Sequence, residues 1–516
     1  MKILFIARHY TYFRNFDSAI RDLAARGHQL HLAVETQDRL GGEAAIQTLA
    51  GDTPGVTTGS VPERRVDTWS GVARRLRLGL DYLRYLDPPY VDGSLRRERA
   101  RGRTPRLLIA LAEPPLLKGP RWRRFVSKRL HALDTTVPPP ESIVEFMRQQ
   151  RPDVVLITPL VDLGSQQIDY LRAARLLGIP TALAVWSWDH LTAKAYLRDH
   201  PERVIVWNET QRREAETIHH VPADRVVVTG AQCFDHWFDR QPTRTRAQFC
   251  AELGLDPARP IILFVGTAYP KGSPPEAPYA REWLEALRRS GIPEVAAANV
   301  LLRPHPAQPA GWAELDLSGL GPVATWGSSP VDERSRADYF DSLYHSAVVV
   351  GINTSAFLEA AIIGREVLTV VAPRFHDSQE GSAHFQYLLE ANGGPLKLAR
   401  DHGAHARDIA EALRRAAAGE RPYRVFIESF IRPKGLDHAA TPEFVKAVED
   451  LASCPVAVPV ASAGRWRRAM LGAAAKLASK VAGESLIRSP RELDPARLAR
   501  IAEELRRQQE QGSQSK

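Results

Sequence analysis

The chain has 516 residues, 44% of them hydrophobic and 25% charged, with a formal net charge of +9. This is enough sequence for two ordinary domains plus extensions, and the composition is that of a folded chain rather than a disordered one. Three cysteines, Cys233, Cys250 and Cys454, form no Cys-x-x-Cys pair; that argues against a structural zinc site or a disulfide framework and fits a reducing cytoplasm. The first apolar run is too short for a signal peptide, and no run reaches the roughly 18 apolar residues of a membrane helix.

In chain order, residues 2–7 read as a buried strand and 8–15 as a polar, aromatic loop. Residues 16–26 carry apolar positions at helical spacing, and Gly27 stops that helix before a second strand at 30–34. This is a βαβ unit, which implies a parallel sheet with helices on its faces. Residues about 40–140 are less regular and read as a basic insertion, with a helix near 72–86. Between Arg96 and Leu130 there are twelve Lys or Arg against two Glu. Such a patch suits an anionic membrane surface or a phosphorylated substrate. No aromatic interleaving typical of a nucleic-acid module accompanies it.

The βα rhythm returns with a strand at 153–157, a helix at 166–177 and strands at 181–186, 203–207 and 225–229. Asn208 is placed to cap the helix that follows the third of these strands. Residues 238–260 turn polar and charged and read as a linker. A second series follows: strands at 261–265, 299–302, 347–350 and 367–371, with helices at 279–289, 337–345 and 355–363. The expectation is an α/β chain of two doubly wound, Rossmann-like domains. The first spans 1–237 and the second 261–450, with a cleft between them and a basic helical tail at 451–516. Open α/β sheets bind ligands at the carboxyl ends of their strands, so both sets of strand ends face this cleft.

The candidate chemistry sits in those strand-end loops. In the second domain, the stretch from Ala347 to Ala360 ends a buried strand and opens a helix, with Asn353, Thr354 or Ser355 as its cap. A helix start of this kind binds phosphate through free N–H groups, and Glu359, one turn inside, can accept hydrogen bonds from ribose hydroxyls. Arg303 and His305 are flanked by Pro304 and Pro306 at another strand end and offer donors to a diphosphate. Gly266 allows close backbone approach, Thr267 supplies a hydroxyl, and Lys271 can reach phosphate; no Walker loop is present. The first strand is not followed by G-x-G-x-x-G, which argues against a nicotinamide or flavin enzyme.

In the first domain, Trp186 and Trp188 suit a sugar ring, and Asp189 suits a general base on an acceptor hydroxyl. His190 and His9 are the alternative bases. Tyr10, Arg14 and Asn15, in the first βα loop, are placed to position an acceptor. Arg465–Val481 is a basic, amphipathic pattern with Trp466 and Leu471, of the kind that lies in a membrane interface.

Together these residues resemble the GT-B glycosyltransferases, and more narrowly the group of CDP-glycerol glycerophosphotransferases and surface-polysaccharide transferases. The opening unit ends in Arg26-Gly-His-Gln-Leu30, and Arg303-Pro-His305-Pro306 resembles that group's basic His-Pro element. Asn353 to Ala360 resembles the donor-binding helix start. Phe430-Ile-Arg432-Pro-Lys434-Gly435 resembles a closing motif, with Lys434 where the group has His. The resemblance implies direct transfer from a nucleotide-activated donor, without metal or cofactor. Arg303, His305, Thr354 and Ser355 would stabilise the leaving diphosphate, and a first-domain base would take the acceptor proton. The acceptor would be a polysaccharide or lipid-linked hydroxyl, with the protein cytoplasmic or peripheral on the inner membrane face. The rival readings are glycerophosphate transfer, a nucleotide-sugar 2-epimerase and a non-catalytic nucleotide-sugar-binding protein.

Overall fold

The computed structural model describes residues 1–36, 41–62, 65, 67, 69–87, 94–114, 119–193, 195–268, 273–309, 311–330, 332–456 and 488–490. The expected Lys271 and the Arg465–Val481 segment lie outside these residues.

The strands are short, continuous apolar runs, the pattern of parallel strands covered on both faces. In the first domain they are β1 (Lys2–Ala7), β2 (Gln29–Val34), β3 (Val56–Ser60), β4 (Val154–Thr158), β5 (Thr181–Ala184), β6 (Arg203–Val206) and β7 (Val226–Val228). They pair in parallel in the order β3-β2-β1-β4-β5-β6-β7. The second domain holds β8 (Ile261–Val265), β9 (Asn299–Arg303), β10 (Val323–Thr325), β11 (Val348–Val350), β12 (Glu366–Val370) and β13 (Leu396–Ala399), in the parallel order β10-β9-β8-β11-β12-β13.

The first-domain helices are α1 (Asp17–Ala25), α2 (Gly42–Asp52), α3 (Ser70–Arg84), α4 (Ser94–Arg103), α5 (Arg106–Ala112), α6 (Pro120–Asp134), α7 (Glu141–Gln150), α8 (Ile168–Leu176), α9 (His190–Ala193) and α10 (Glu209–Thr217). After them come α11 (Asp235–Asp239), α12 (Arg246–Leu253), α13 (Glu276–Arg288), α14 (Pro293–Ala296), α15 (Glu333–Tyr344), α16 (Ala356–Ile362), α17 (His402–Ala417), α18 (Arg424–Phe430) and α19 (Ala440–Leu451). None of the described helices is long and apolar enough to cross a membrane.

Three expectations change. The region 40–140 is not wholly an insertion: α2 and β3 complete the edge of the first sheet, and the inserted part is the helical module α3–α6. Buried ion pairs tie that module to the sheet. Arg77 donates to Asp134 at 3.1 Å and to Asp169 at 2.6 Å, and Arg172 on α8 donates to Asp134 at 2.7 Å. Next, the expected linker 238–260 contains α12. This helix has a Thr245–Gln248 capping box, and its Phe249 and Cys250 are buried in the core that lines one face of the second sheet. Finally, α19 closes the range expected for the second domain but packs on the first. Phe444, Val445, Val448 and Leu451 share a core with Phe16, Ile20 and Leu23.

The crossing-back segment is held at Asp235. Its carboxylate accepts from the Arg432 guanidinium at 3.0 Å, from the Ala440 and Thr441 amides at 3.0 and 2.7 Å, and from the Thr441 hydroxyl at 2.7 Å. Gly230 has φ +93°, and a Cβ there would stand 2.7 Å from Ala440 Cβ and 3.1 Å from the Ile431 carbonyl. Only glycine permits that approach. The Phe430–Gly435 motif is therefore the anchor of the crossover: Arg432 also donates to the Leu436 carbonyl at 2.6 Å and stacks 3.5 Å above the Phe238 ring. At the far end of the described chain, the Arg106 amide of α5 donates to the Arg488 carbonyl at 3.4 Å.

Candidate active site

The strand-end loops of the two domains meet as the topology requires. Trp188, just past β5, is buried with Phe357 and Leu358 of α16 in one apolar cluster. Its indole N–H donates to Ser355 Oγ at 3.1 Å, and its ring meets His384 edge-on at 4.8 Å. His384 is 3.4 Å from the Thr192 hydroxyl and 3.1 Å from Ser382, which accepts a 3.0 Å bond from Arg96 of α4. Asn208 caps α10 through the Gln211 amide and donates to the Phe430 carbonyl at 2.8 Å. Trp188 is thus an inter-domain contact rather than an open sugar platform.

On the second-domain side, Glu359 is the centre of charge. Tyr339 of α15 donates its hydroxyl to Glu359, and the Arg303 guanidinium lies 5.0 Å over the Tyr339 ring. Burial pushes the Glu359 carboxyl up to about 7, against the opposing pull of the Tyr339 hydroxyl, Arg14 and Arg303. Burial, then the Glu359 charge, raises Tyr339 well above the ordinary tyrosine value. Arg303 does not project freely toward a ligand. It donates to Ser342 Oγ at 2.9 Å and to the Ser328 carbonyl at 3.3 Å, and stands 3.5 Å from Asp338.

His305, half-buried, is the other basic residue of that strand end. Its Nδ1 accepts the Ala307 amide at 3.1 Å, which leaves the ring proton on Nε2. Burial, then the Arg14 charge, lowers its pKa to about 4, so at neutral pH it is a neutral donor. Arg14 comes from the first domain, yet its charge acts on His305, Glu359 and Tyr339. The structure therefore brings the Arg14 charge to bear on second-domain residues.

Gly266 is explained by crowding: a Cβ would stand 2.7 Å from the His305 amide nitrogen and 2.9 Å from Glu276 Oε2. Glu276 accepts the Thr267 amide at 3.0 Å, and the Thr267 hydroxyl is buried without a hydrogen bond among the described residues. At the start of α16, Thr354 Oγ1 accepts the Ala356 amide at 3.3 Å, while Ser355 makes no cap. Asn353 is not the cap either; its amide donates to the Ser378 carbonyl at 2.5 Å and ties β11 to the loop after β12.

In the first domain, Ser187 donates to Asp189 at 2.5 Å, and Asp189 remains partly exposed. His190, expected beside it as a base, is fully buried and donates from Nε2 to the Pro159 carbonyl at 2.7 Å. That geometry spends Nε2 on holding a loop. Tyr10 is likewise buried, with its hydroxyl on the Gly59 carbonyl at 3.2 Å, so it supports β3 rather than an acceptor. Asn15 donates to the Trp186 carbonyl at 3.2 Å and joins the two loops. Tyr12 packs between His9 at 4.6 Å and Trp186 at 4.9 Å, which leaves this aromatic group at the loop surface.

Several site residues have no local sequence signal. Tyr339 meets Glu359 only through packing of α15 on α16. Glu214 on α10 is buried, and burial pushes its carboxyl up to about 8, despite the Tyr387 hydroxyl and Arg84. Gln379 is fully buried and binds the Ala372 amide, Thr369 hydroxyl and Val370 carbonyl, which shapes the loop after β12. No three His, Cys, Asp or Glu side chains among the described residues are grouped to hold a metal ion.

Two Rossmann-like domains with facing strand ends, and a C-terminal helix returning to the first domain, define the GT-B fold. No family model and no curated protein sequence matches the chain. Among solved structures it is similar to a Listeria monocytogenes protein assigned as a UDP-N-acetylglucosamine 2-epimerase, with TM-score 0.50 and 11% identity, covering 87% of this chain and 96% of that one. The UDP-GlcNAc 2-epimerase of Methanocaldococcus jannaschii gives TM-score 0.49 and 11% identity over 87% and 99% of the two chains. MurG of Acinetobacter baumannii gives 0.42 and 13% over 87% and 99%. At such identities the likeness is one of fold.

Proposed function

We propose that the cleft binds a nucleotide-diphosphate-linked sugar on the second domain and transfers the sugar to a hydroxyl held by the first. The observation that carries this reading is that one first-domain cation, Arg14, acts on both the neutral His305 and the recessed Glu359, at the strand ends of β9 and β11. His305 Nε2–H and Arg14 donate to the diphosphate oxygens, and the start of α16 adds Thr354 and Ser355. Charge that develops on the leaving diphosphate is met by donors already in place, which is the main way such a site lowers a barrier. A bound diphosphate raises the His305 pKa and strengthens its donation. Glu359, steadied by Tyr339, accepts a ribose hydroxyl. Asp189, oriented by Ser187, takes the acceptor proton, with His9 as the second choice.

The acceptor is a surface-polysaccharide or lipid-linked hydroxyl, and the protein works in the cytoplasm, peripheral to the inner face of the membrane. Transfer of glycerol phosphate from CDP-glycerol uses the same diphosphate contacts. A thermal-shift screen against UDP-, CDP-, GDP- and dTDP-linked donors separates these readings, since a ligand that binds only the folded state raises Tm. A second reading, epimerisation at the sugar C2, is favoured by Glu359 alone: a carboxyl with a pKa of about 7 can both take and return a proton. Solvent isotope incorporation at C2 without an acceptor identifies it.

A further inference from the structure

The helical module α3–α6 carries an outward face that the cleft does not use. Burial on α6 falls on Val126, Leu130 and Asp134, spaced four apart, so the opposite side of the helix faces outward. Off that stripe Phe125 is 48% exposed, and Leu133, beside it, is 37% exposed. On the neighbouring α5, Leu107 and Leu111 are 42% and 39% exposed. These four account for most of the large apolar side chains exposed among the described residues. The two helices are joined at this face: Trp122 donates its indole N–H to the Leu111 carbonyl at 2.8 Å and stacks on Phe125 at 5.6 Å. Leu107, Leu111, Trp122 and Phe125 therefore form one apolar patch.

Cations ring it. Arg106, Arg121, Arg124, Lys128 and Arg129 are exposed on the same two helices, and Arg129 lies 5.1 Å over the Phe125 ring. Among the described residues the acidic neighbours are Glu113, which accepts the Tyr82 hydroxyl, and Asp87, which faces Arg123 and Arg124. Apolar tips within a collar of Lys and Arg match an anionic bilayer, where the tips enter the interface and the cations meet the headgroups. A globular partner with an acidic rim would offer the charge but leaves the exposed Phe and Leu tips without a reason to be flanked so densely by arginine.

The face is also rigid and well placed. Asp134, at the end of α6, is fully buried between Arg77 and Arg172, which fixes the helix on the sheet. α4, which leads into this face, reaches the second domain at its other end through Arg96 and Ser382, beside His384 and Trp188.

We infer that the α5–α6 face docks the protein on an anionic lipid bilayer and so presents the cleft to an acceptor carried in that bilayer. The second clause rests on the transfer reading above; the docking itself does not. The full-length protein is tested by co-sedimentation with phosphatidylcholine vesicles with and without phosphatidylglycerol, at low and high salt. Nucleotide-induced thermal shift is measured in parallel. Binding is expected only to the phosphatidylglycerol vesicles and to weaken with salt. The variant Leu111→Glu/Phe125→Glu, and separately Arg124→Glu/Lys128→Glu at two exposed positions, should each lower the partition by about tenfold or more while the nucleotide shift is kept. Wild-type partition by both variants overturns the inference. So does absence of vesicle binding, or a self-associated wild type that Phe125→Glu converts to monomers without any lipid dependence. Loss of the nucleotide response in the wild type, with vesicle binding intact, overturns the transfer reading and leaves the docking face standing.

Discussion

Trp188 of the first domain and Ser355 of the second are joined by a 3.1 Å bond from indole N–H to hydroxyl. The bond sits where the end of β5 meets the start of α16. It couples the loop that carries Asp189 to the helix start that carries the candidate donor contacts. Trp188→Phe keeps the ring against His384 and removes the donor. A single neutral hydrogen bond contributes about 1 kcal/mol, so the expected effect is a severalfold rise in KM for the donor with a smaller change in fold stability. Unchanged steady-state kinetics would separate the two loops.

Stability should depend on Asp235. Asp235→Ala strips the partner from the buried Arg432 and from two backbone amides of the crossover. Loss of one side of a buried pair costs about 3–5 kcal/mol. Urea unfolding should show that loss, together with release of α19, monitored by proteolysis after Phe430. A midpoint within error of the wild type would mean that the crossover is held elsewhere.

Glu359 should set a pH dependence of stability. Its folded-state pKa of about 7 lies above the ordinary value of 4.5. Between these values the native state keeps a proton that the unfolded chain releases, so unfolding free energy falls as pH rises from about 4.5 to about 7 and is level above that. Glu214, at about 8, adds a fall over pH 4.5 to 8 in the same direction. Glu359→Gln should flatten the first part and raise Tm at pH 8 relative to the wild type. An equal pH profile for wild type and Glu359→Gln counts against a Glu359 carboxyl whose pKa burial has raised.

Asp189→Asn tests the acceptor side. The amide keeps the shape and the contact with Ser187 but cannot take a proton. Donor binding should be nearly unchanged and the transfer rate should fall by about 100-fold or more, the usual scale of general-base catalysis. Full transfer at saturating acceptor moves the base to His9, since His190 is fully buried against Pro159.

Much of this architecture is legible in the chain because buried parallel strands are continuous apolar runs. Ile261–Val265 is read and observed with the same bounds, and the strands at β4, β9, β11 and β12 shift by one residue or less at each end. The strands that escape are edge strands: β3 reads Val-Thr-Thr-Gly-Ser and is half exposed, β10 has three residues, and β13 carries Lys397. Their polarity follows from having water on one side. The crossover of α19 is invisible locally, since its apolar stripe would suit either domain. At the site, strand-end position puts His305 and Glu359 within the field of one cation, Arg14, but side-chain direction is not written in a motif. Arg303 turns under Tyr339 toward Ser342, and Tyr10 and His190 turn inward, because neighbouring helices offer them acceptors there. Arg14 reaches residues of the other domain for the same reason: the cleft is formed by tertiary packing.

The central claim, that a nucleotide diphosphate sits between His305 and Arg14, is tested most directly by isothermal titration of the donor identified in the thermal-shift screen. The wild type, His305→Ala and Arg14→Ala are compared at one ionic strength. Each variant should bind about tenfold more weakly, or about 1.4 kcal/mol, with the fold unchanged by circular dichroism. Equal affinities for all three proteins would contradict the account.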